Sequence, residues 1–143
     1  MYSITTENFH LEWNPEVNEE DISYPVNTNL HVTLASSGFS VRDAVMETDV
    51  KALAAFACAL NELYETLTGT AELREPYGAQ DFLQFSADSG GHIKVKGKIS
   101  GSDLNVHTQT LGFENELDQT SLRNFAKKLF ADYKSYLKNK EAY

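Results

Sequence analysis

Apolar and polar residues alternate along several short stretches of the chain, which is typical of strands that bury one face. Apolar residues occupy every second position, or nearly so, in the stretches 9–13, 30–34, 39–45, 71–73, 83–85, 93–99 and 111–117. Because each stretch is apolar on one face only, they predict a mostly antiparallel sheet of five to seven strands.

Two longer segments place an apolar residue at every third or fourth position, which is the spacing of one helix face. The first covers residues 49–67, with Thr48 or Asp49 as its N-cap and Gly69 just past its end. The second covers residues 118–137 and begins with short side-chain oxygens that can cap it. Two amphipathic helices on one face of the sheet predict a two-layer α+β sandwich whose opposite face stays open.

The connections carry their own signals. Residues 14–29 contain two prolines and a group of acids, and they predict a long acidic loop. Residues 138–143 are predicted to fray as a C-terminal tail. We find no internal repeat, and the length of 143 residues predicts a single domain over 1–143.

Register constraints sharpen two of these connections. Residues directly opposite each other in an antiparallel pair share a face. Placing Leu83 and Phe85 opposite Val95 and Ile93 therefore requires a loop with an odd number of residues. The turn 89–91 meets that requirement. Val106 and Leu111 lie an odd number of residues apart, which predicts a bulge near residues 108–110.

The charge of the chain is its most informative total. There are 21 acids and 12 bases, giving −9, and no Lys or Arg precedes Arg42. The last helix is rich in bases instead. A chain this acidic is repelled by nucleic-acid phosphates and favoured beside a basic protein. The alternative is that the acidity only keeps the protein soluble.

Composition excludes several classes of protein. The sequence has 41% hydrophobic residues, no run long enough to span a membrane and no signal peptide at its start, so we expect a cytoplasmic address. One cysteine, Cys58, excludes an internal disulfide. Small residues at Ala54, Ala55 and Cys58 mark a helix face that either the last helix or another protein covers.

No catalytic or cofactor motif is present. His10, His31, His92 and His107 are dispersed, so no metal site is expected. A general base formed by His92 or His107 with Glu114 depends on a contact in the fold, and surface histidines are the alternative. Glu114 and Glu116 alternate outward on a strand, as solvated carboxylates do.

One set of positions resembles the WapI-type immunity proteins of bacterial polymorphic toxin systems. The likeness spans about residues 30–137, and its matching positions are Leu53, Phe56, Leu60, Gly69, Ala71, Leu73, Leu83, Phe85, Asp88, residues 91–99, Leu111, Phe113, residues 117–122 and Phe125. The resemblance implies a small cytoplasmic protein that binds and neutralises a cognate toxin, often a nuclease. These residues are turn, cap and core types, so the resemblance transfers a fold and no active site.

Three hypotheses follow. The first is a non-enzymatic immunity protein that binds a basic, nuclease-type toxin by electrostatic steering, without cofactor, nucleic acid or membrane. The second is a small enzyme using His92 or His107 with Glu114. The third is a self-associating structural subunit, and the sequence leaves monomer or homodimer undecided. For the first hypothesis, the predicted contacts are Glu16, Glu19, Glu20, Asp21 and Tyr24, and then Glu114 and Glu116.

Overall fold

A computed structural model of the chain describes residues 1–88, 90–102 and 108–141. These residues form eight strands, two α-helices and a short 3-10 helix, Glu19–Asp21. In chain order the elements are β1 (Tyr2–Thr5), β2 (Phe9–Val17), β3 (Thr28–Ser36), β4 (Phe39–Thr48), α1 (Val50–Thr66), β5 (Thr70–Arg74), β6 (Phe82–Ala87), β7 (Ile93–Ser102), β8 (Thr108–Leu117) and α2 (Gln119–Glu141).

The strands form two sheets. β1 to β4 make one antiparallel four-stranded sheet in chain order, and β5 to β8 make another. The α+β class, the antiparallel pairing and the two helices are confirmed, whereas the single sheet of five to seven strands is wrong. Alternation reveals which face of a strand is buried but not which strands are neighbours, and α1 interrupts the run of hairpins between β4 and β5.

Both sheets and both helices bury their apolar faces in one shared core. At its centre four aromatic rings form a closed cycle in which sheet and helix residues alternate. Trp13 of β2 lies 5.4 Å from Phe56 of α1 and 5.3 Å from Phe125 of α2, measured between ring centroids. Phe85 of β6 completes the cycle at 6.1 and 6.3 Å from the same two rings. The helices therefore pack between elements of both sheets and not on one face of one sheet.

The two halves of the chain repeat one arrangement, four strands followed by one helix. α1 contacts β5, the first strand of the second half, and α2 contacts β1, the first strand of the first half. The helices also share one sequence pattern, D-x-x-x-L-x-x-F-A-x-x-L-x-x-x-Y, at residues 49–64 and 118–133. The absence of an internal repeat, which the sequence led us to expect, is therefore wrong.

Strand registers extend the same equivalence to the sheets. In the first sheet one row of opposed residues is Tyr2, Trp13, Val32 and Ala44, and in the second it is Ala71, Phe85, Val95 and Asn115. The next inward row is Ile4, Leu11, Leu34 and Val41 in the first sheet, and Leu73, Leu83, Gly97 and Phe113 in the second. The two sheets thus correspond strand by strand in order and register, with different side chains at several positions.

Both helices begin at an aspartate. The Oδ1 of Asp49 accepts a hydrogen bond from the Lys51 N–H at 2.7 Å, and the Oδ1 of Asp118 accepts one from the Ser121 N–H at 2.7 Å. These N-caps match the sequence prediction. The end of α1 differs from it, because Leu67 itself adopts the left-handed conformation with φ 54° and donates its N–H to the Leu63 carbonyl. Gly69 follows two residues later.

Two predicted irregular segments are more regular in the structure. β2 continues to Val17 and β3 begins at Thr28, so the predicted loop 14–29 contracts to residues 18–27. A hydrogen bond from the Asn18 N–H to the Asn27 carbonyl closes it at 2.7 Å. α2 continues through Glu141, which replaces most of the predicted frayed tail 138–143, and residues 142–143 lie outside the described part of the chain.

The connection between β6 and β7, residues 88–92, has an odd number of residues, as the predicted strand pairing required. Phe85 lies opposite Val95, two positions away from the expected partner Ile93, so the side chains still share a face.

β7 and β8 pair regularly down to Ser102 and Thr108, so the prediction of a bulge near 108–110 is wrong. Val106, on which that expectation depended, falls in the undescribed stretch 103–107. The register shift lies instead between β3 and β4, beside Asp43 with φ 52°.

Candidate functional site

A groove runs along the seam between the two sheets, beside β4. β4 is an edge strand that pairs only with β3 among the described strands. Three cavities of about 610, 320 and 490 Å³ follow each other along it. Val45 lines the first and second, and Glu47 and Tyr77 line the second and third. We define the β4 groove as the surface lined by residues 39–45, Glu47, Tyr24, Tyr77 and residues 99–101.

Exposed apolar side chains are concentrated in this groove. In the described part of the chain, five large hydrophobic side chains are exposed, and the β4 groove contains all of them except Met1. Phe39 is 68% exposed, Tyr77 64%, Tyr24 56% and Val45 42%. Isolated exposed apolar residues are ordinary on a protein surface, whereas a grouping of this kind is typical of an interaction site.

Carboxylates dominate the charged lining of the three cavities. Asp43 and Glu47 are exposed on β4, and Glu75 and Asp81 are buried below them. Among the described lining residues, Arg42 is the single Lys or Arg. The groove therefore combines exposed aromatic and aliphatic surface with net negative charge.

Glu75 and Asp81 join the two halves of the molecule at the floor of the groove. The two carboxylate oxygens of Glu75 accept hydrogen bonds from the Glu47 N–H at 2.8 Å and from the Asp81 N–H at 2.9 Å. The Oδ2 of Asp81 accepts one from the Ser100 N–H at 2.7 Å. Its Oδ1 is buried and has no hydrogen-bond partner in the described residues. This pair was not predicted from the sequence.

The first group of predicted contact residues lies at one end of the β4 groove. Tyr24 lines the groove, and its N–H donates to the Asp21 carbonyl at 3.1 Å, which places the 3-10 helix with Glu19, Glu20 and Asp21 beside it. Glu16 pairs across β2 and β3 with Asn29, which also lines the groove. These acids are exposed. The hydroxyl of Tyr136 in α2 donates to Glu19 at 3.0 Å and holds that carboxylate.

The second predicted group, Glu114 and Glu116, lies on β8 in the other sheet. Glu114 is opposite Lys96 and Glu116 is opposite Lys94. The Nζ of Lys94 contacts the Glu114 carboxylate at 2.9 Å, which lowers the pKa of Glu114 and raises that of Lys94. Neighbouring lysines thus offset these carboxylates. Among the acids near Tyr24, Glu16 lies 3.9 Å from the Nε2 of His31, and no lysine or arginine pairs with them in the described residues. The structure divides the predicted contact residues between two separate surfaces.

Sequence comparison decides the family. A family model of WapI-like immunity proteins matches residues 6–137. The chain belongs to the WapI-like immunity protein family. The resemblance noted from the turn, cap and core residues is thereby confirmed, and with it a general toxin-neutralising role. No curated protein and no solved structure matches the chain significantly.

Immunity proteins are generally non-enzymatic, and the described part of this WapI-like chain does not bring together His92 and Glu114, one of the two catalytic pairs considered above. In the described residues no hydrogen bond or ion pair joins His92 to Glu114, whose carboxylate is bound to Lys94. His107 falls in the undescribed stretch 103–107.

Three further features of the sequence concerned metal binding, membrane insertion and the small-residue face of α1. A search of residues 1–88, 90–102 and 108–141 finds no group of three His, Cys, Asp or Glu side chains that could hold a metal ion. Over the same residues, neither helix is long and apolar enough to cross a membrane. Ala54 is buried, Cys58 is partly exposed and Ala55 is exposed, so the small-residue face of α1 is covered only in part.

Proposed function

We propose that this WapI-like immunity protein binds a cognate toxin domain in the bacterial cytoplasm and blocks a basic, nuclease-type active surface. Family membership supports toxin neutralisation. The observation that carries the finer proposal is the group of exposed carboxylates Glu16, Glu19, Glu20 and Asp21 next to the exposed ring of Tyr24. A nuclease must attract phosphates, so its active surface is positively charged and complements such a group.

The carboxylates act mainly on the rate of association. Unpaired surface charges of one sign steer an oppositely charged partner over distances of about a Debye length, roughly 8 Å at physiological salt. Once the proteins touch, such rim charges add less to affinity than buried aromatic anchors do. Tyr24 is the anchor in this proposal. Glu114 and Glu116 form a secondary contact, which is weaker because Lys94 and Lys96 offset their charge.

The test is a charge reversal of the 3-10 helix, Glu19→Lys/Glu20→Lys/Asp21→Lys. Its probe is the C-terminal domain of the large toxin that we expect the reading frame immediately upstream of this chain's gene to encode. We expect the association rate constant to fall about tenfold or more at low salt, with a flatter salt dependence and a smaller change in dissociation. Stopped-flow kinetics at several salt concentrations measure both.

A matched control separates local steering from net charge. The variant Glu62→Lys/Glu65→Lys/Glu72→Lys changes the net charge equally but alters α1 and β5, away from Tyr24. It should slow association less than the first variant. Equal effects of the two variants, or no effect of the first, would remove the assignment to residues 19–21. A wild-type chain that neither binds nor inhibits the toxin domain would refute the proposed function itself.

Self-association stays a second proposal because β4 is an edge strand, and unprotected strand edges can pair with another copy. Light scattering at two concentrations distinguishes a monomeric inhibitor from a concentration-dependent homodimer.

A further inference from the structure

We infer that the β4 groove is the main docking site of the toxin and that it receives a basic, extended segment of that protein. This inference rests on the proposed function and adds the surface and the chemistry of the segment. Exposed apolar side chains, an edge strand and an excess of carboxylates coincide in this groove. Each of them constrains the occupant in a different way.

The apolar side chains indicate that a protein covers the groove. Phe39, Tyr77 and Tyr24 are each more than half exposed. Val45 of β4 lines the cavity that Phe39 lines and the next cavity, which Tyr77 lines. Water contact with that much apolar surface is unfavourable by about 25 cal/mol per Å², and a partner that buries it recovers this free energy. Aromatic side chains are also the commonest residues that dominate protein interfaces.

The edge of β4 indicates an extended segment. The Glu47 N–H points away from β3, since it donates to Glu75. Because successive residues of a strand direct their N–H groups to opposite edges, the Val45 N–H points the same way as that of Glu47. A segment lying along this edge can add backbone hydrogen bonds at Val45 while its side chains contact Phe39 and Tyr77.

The carboxylates indicate that the segment is basic. Asp43 and Glu47 lie on the rim, and Arg42 is the only Lys or Arg that lines the cavities with them in the described part of the chain. The Nδ1 of His31 lies 3.5 Å from the Asp43 carboxylate, whereas Glu47 has no ion pair in that part. Asp81 is 2% exposed and has one carboxylate oxygen without a partner in the described residues. A buried carboxylate in this state is stabilised by a nearby positive charge, which a Lys or Arg of the partner supplies.

The same charges disfavour the other occupants. A second copy of this chain would bring a molecule of charge −9 against the acidic groove of another. A nucleic acid meets the same repulsion from its phosphates. A basic protein segment is the occupant that satisfies the apolar surface, the strand edge and the charge together.

The first experiment removes the apolar anchors with the variant Phe39→Ser/Tyr77→Ser, using the upstream-encoded toxin domain as the probe. We expect its Kd to rise about 30-fold or more, mainly through faster dissociation. The control variant Thr5→Ser/Gln84→Ser alters outward strand positions away from the groove and should leave Kd unchanged. Both are exposed or half-exposed sites, and thermal melts verify that each variant folds.

The second experiment needs no substitution. Hydrogen exchange of the wild-type chain, with and without the toxin domain, should show protection of the 43–48 amides in the complex. The amides of residues 2–5 on β1, at the opposite edge of the same sheet, should change little. This readout reports backbone coverage directly, so it stays decisive even where a variant is poorly folded.

The outcomes separate the inference from the proposed function. If the wild-type chain binds the toxin domain while the groove variant and the 43–48 amides are unaffected, the groove inference is wrong and the proposed function stands. If protection of 43–48 appears without toxin and grows with protein concentration, a second copy occupies the groove and the inference is overturned. If the wild-type chain does not bind the toxin domain, both are refuted.

Discussion

The two halves of this molecule are alike inside and different outside. Each half is four antiparallel strands followed by a helix, and each helix carries the same cap, the same Leu-x-x-Phe-Ala-x-x-Leu core motif and the same tyrosine. On the surface, the first half has exposed acids around the 3-10 helix and an open groove beside β4. The second half pairs its surface carboxylates with lysines across β7 and β8. The interior of the repeat thus specifies the fold, whereas the candidate binding site combines the exposed acids of the first half with a groove between the two halves.

The largest expected effect tests the likeness of the interiors. Phe56→Ala and Phe125→Ala remove equivalent rings that are 2% and 1% exposed and that contact the same two aromatic residues. Each should lower the free energy of unfolding by about 3–5 kcal/mol because it leaves a cavity in the shared core. Urea denaturation measures both. Losses that differ by more than twofold would show that the two halves contribute unequally, and would break the comparison.

A smaller effect is expected where the two interiors differ. Gly97 occupies the position that Leu34 holds in the first sheet, and the ring of Phe113 lies over it. A Cβ at residue 97 would be 2.9 Å from that ring and would also collide with the Phe82 carbonyl. Gly97→Ala should therefore cost about 1–3 kcal/mol of unfolding free energy.

Gly112 is the matched control for that substitution. It lies on the neighbouring strand β8, and a Cβ there meets no atom within 4 Å. Gly112→Ala should leave the unfolding midpoint in urea nearly unchanged or slightly raised. A loss at residue 112 as large as that at residue 97 would mean that glycine is needed for the strand backbone and not for the packing of Phe113.

The smallest effect concerns the two helix caps. Asp49→Ala and Asp118→Ala each remove a side-chain acceptor from a helix start, at about 1 kcal/mol apiece. The Ser121 N–H lowers the pKa of Asp118, so the folded chain favours the charged carboxylate. Its stabilisation is present above about pH 4, the ordinary range of an aspartate, and is lost as the pH falls through the lowered value.

Thermal melts at pH 7 and near pH 2 measure this dependence. The difference in Tm between the wild-type chain and Asp118→Ala should shrink at the lower pH. A difference that persists in acid would show that the side chain acts by packing and not as a charged cap.

Local signals in the sequence predicted most of the elements and part of the site. Alternation located the strands around Trp13 and Phe85, helical spacing located Phe56 and Phe125, and the caps followed from residue type. The division into two sheets was not predicted, because it depends on which strands meet after α1. The repeat was missed because the strands and loops between its equivalent positions differ in length, 18–27 in one half and 88–92 in the other.

The candidate site divides in the same way. The acids before Tyr24 were visible as a charged run in the sequence, and they lie at one end of the β4 groove. Phe39 and Val45 resembled ordinary strand residues, and only the position of β4 at a sheet edge leaves them exposed. Glu75 and Asp81 carried no sequence signal beyond a turn, since their role depends on backbone N–H groups from β4 and β7.

Each helix contacts the first strand of the other half, and this arrangement determines when the core can form during synthesis. Tyr2 of β1 is buried against Phe125 and donates its hydroxyl to Asp132 at 2.6 Å, and both partners belong to α2. A ribosome synthesises β1 well before α2, so the covering surface of the first strand emerges after all the other strands. The newly made protein can therefore complete this part of its core only after α2 has emerged and packed on β1.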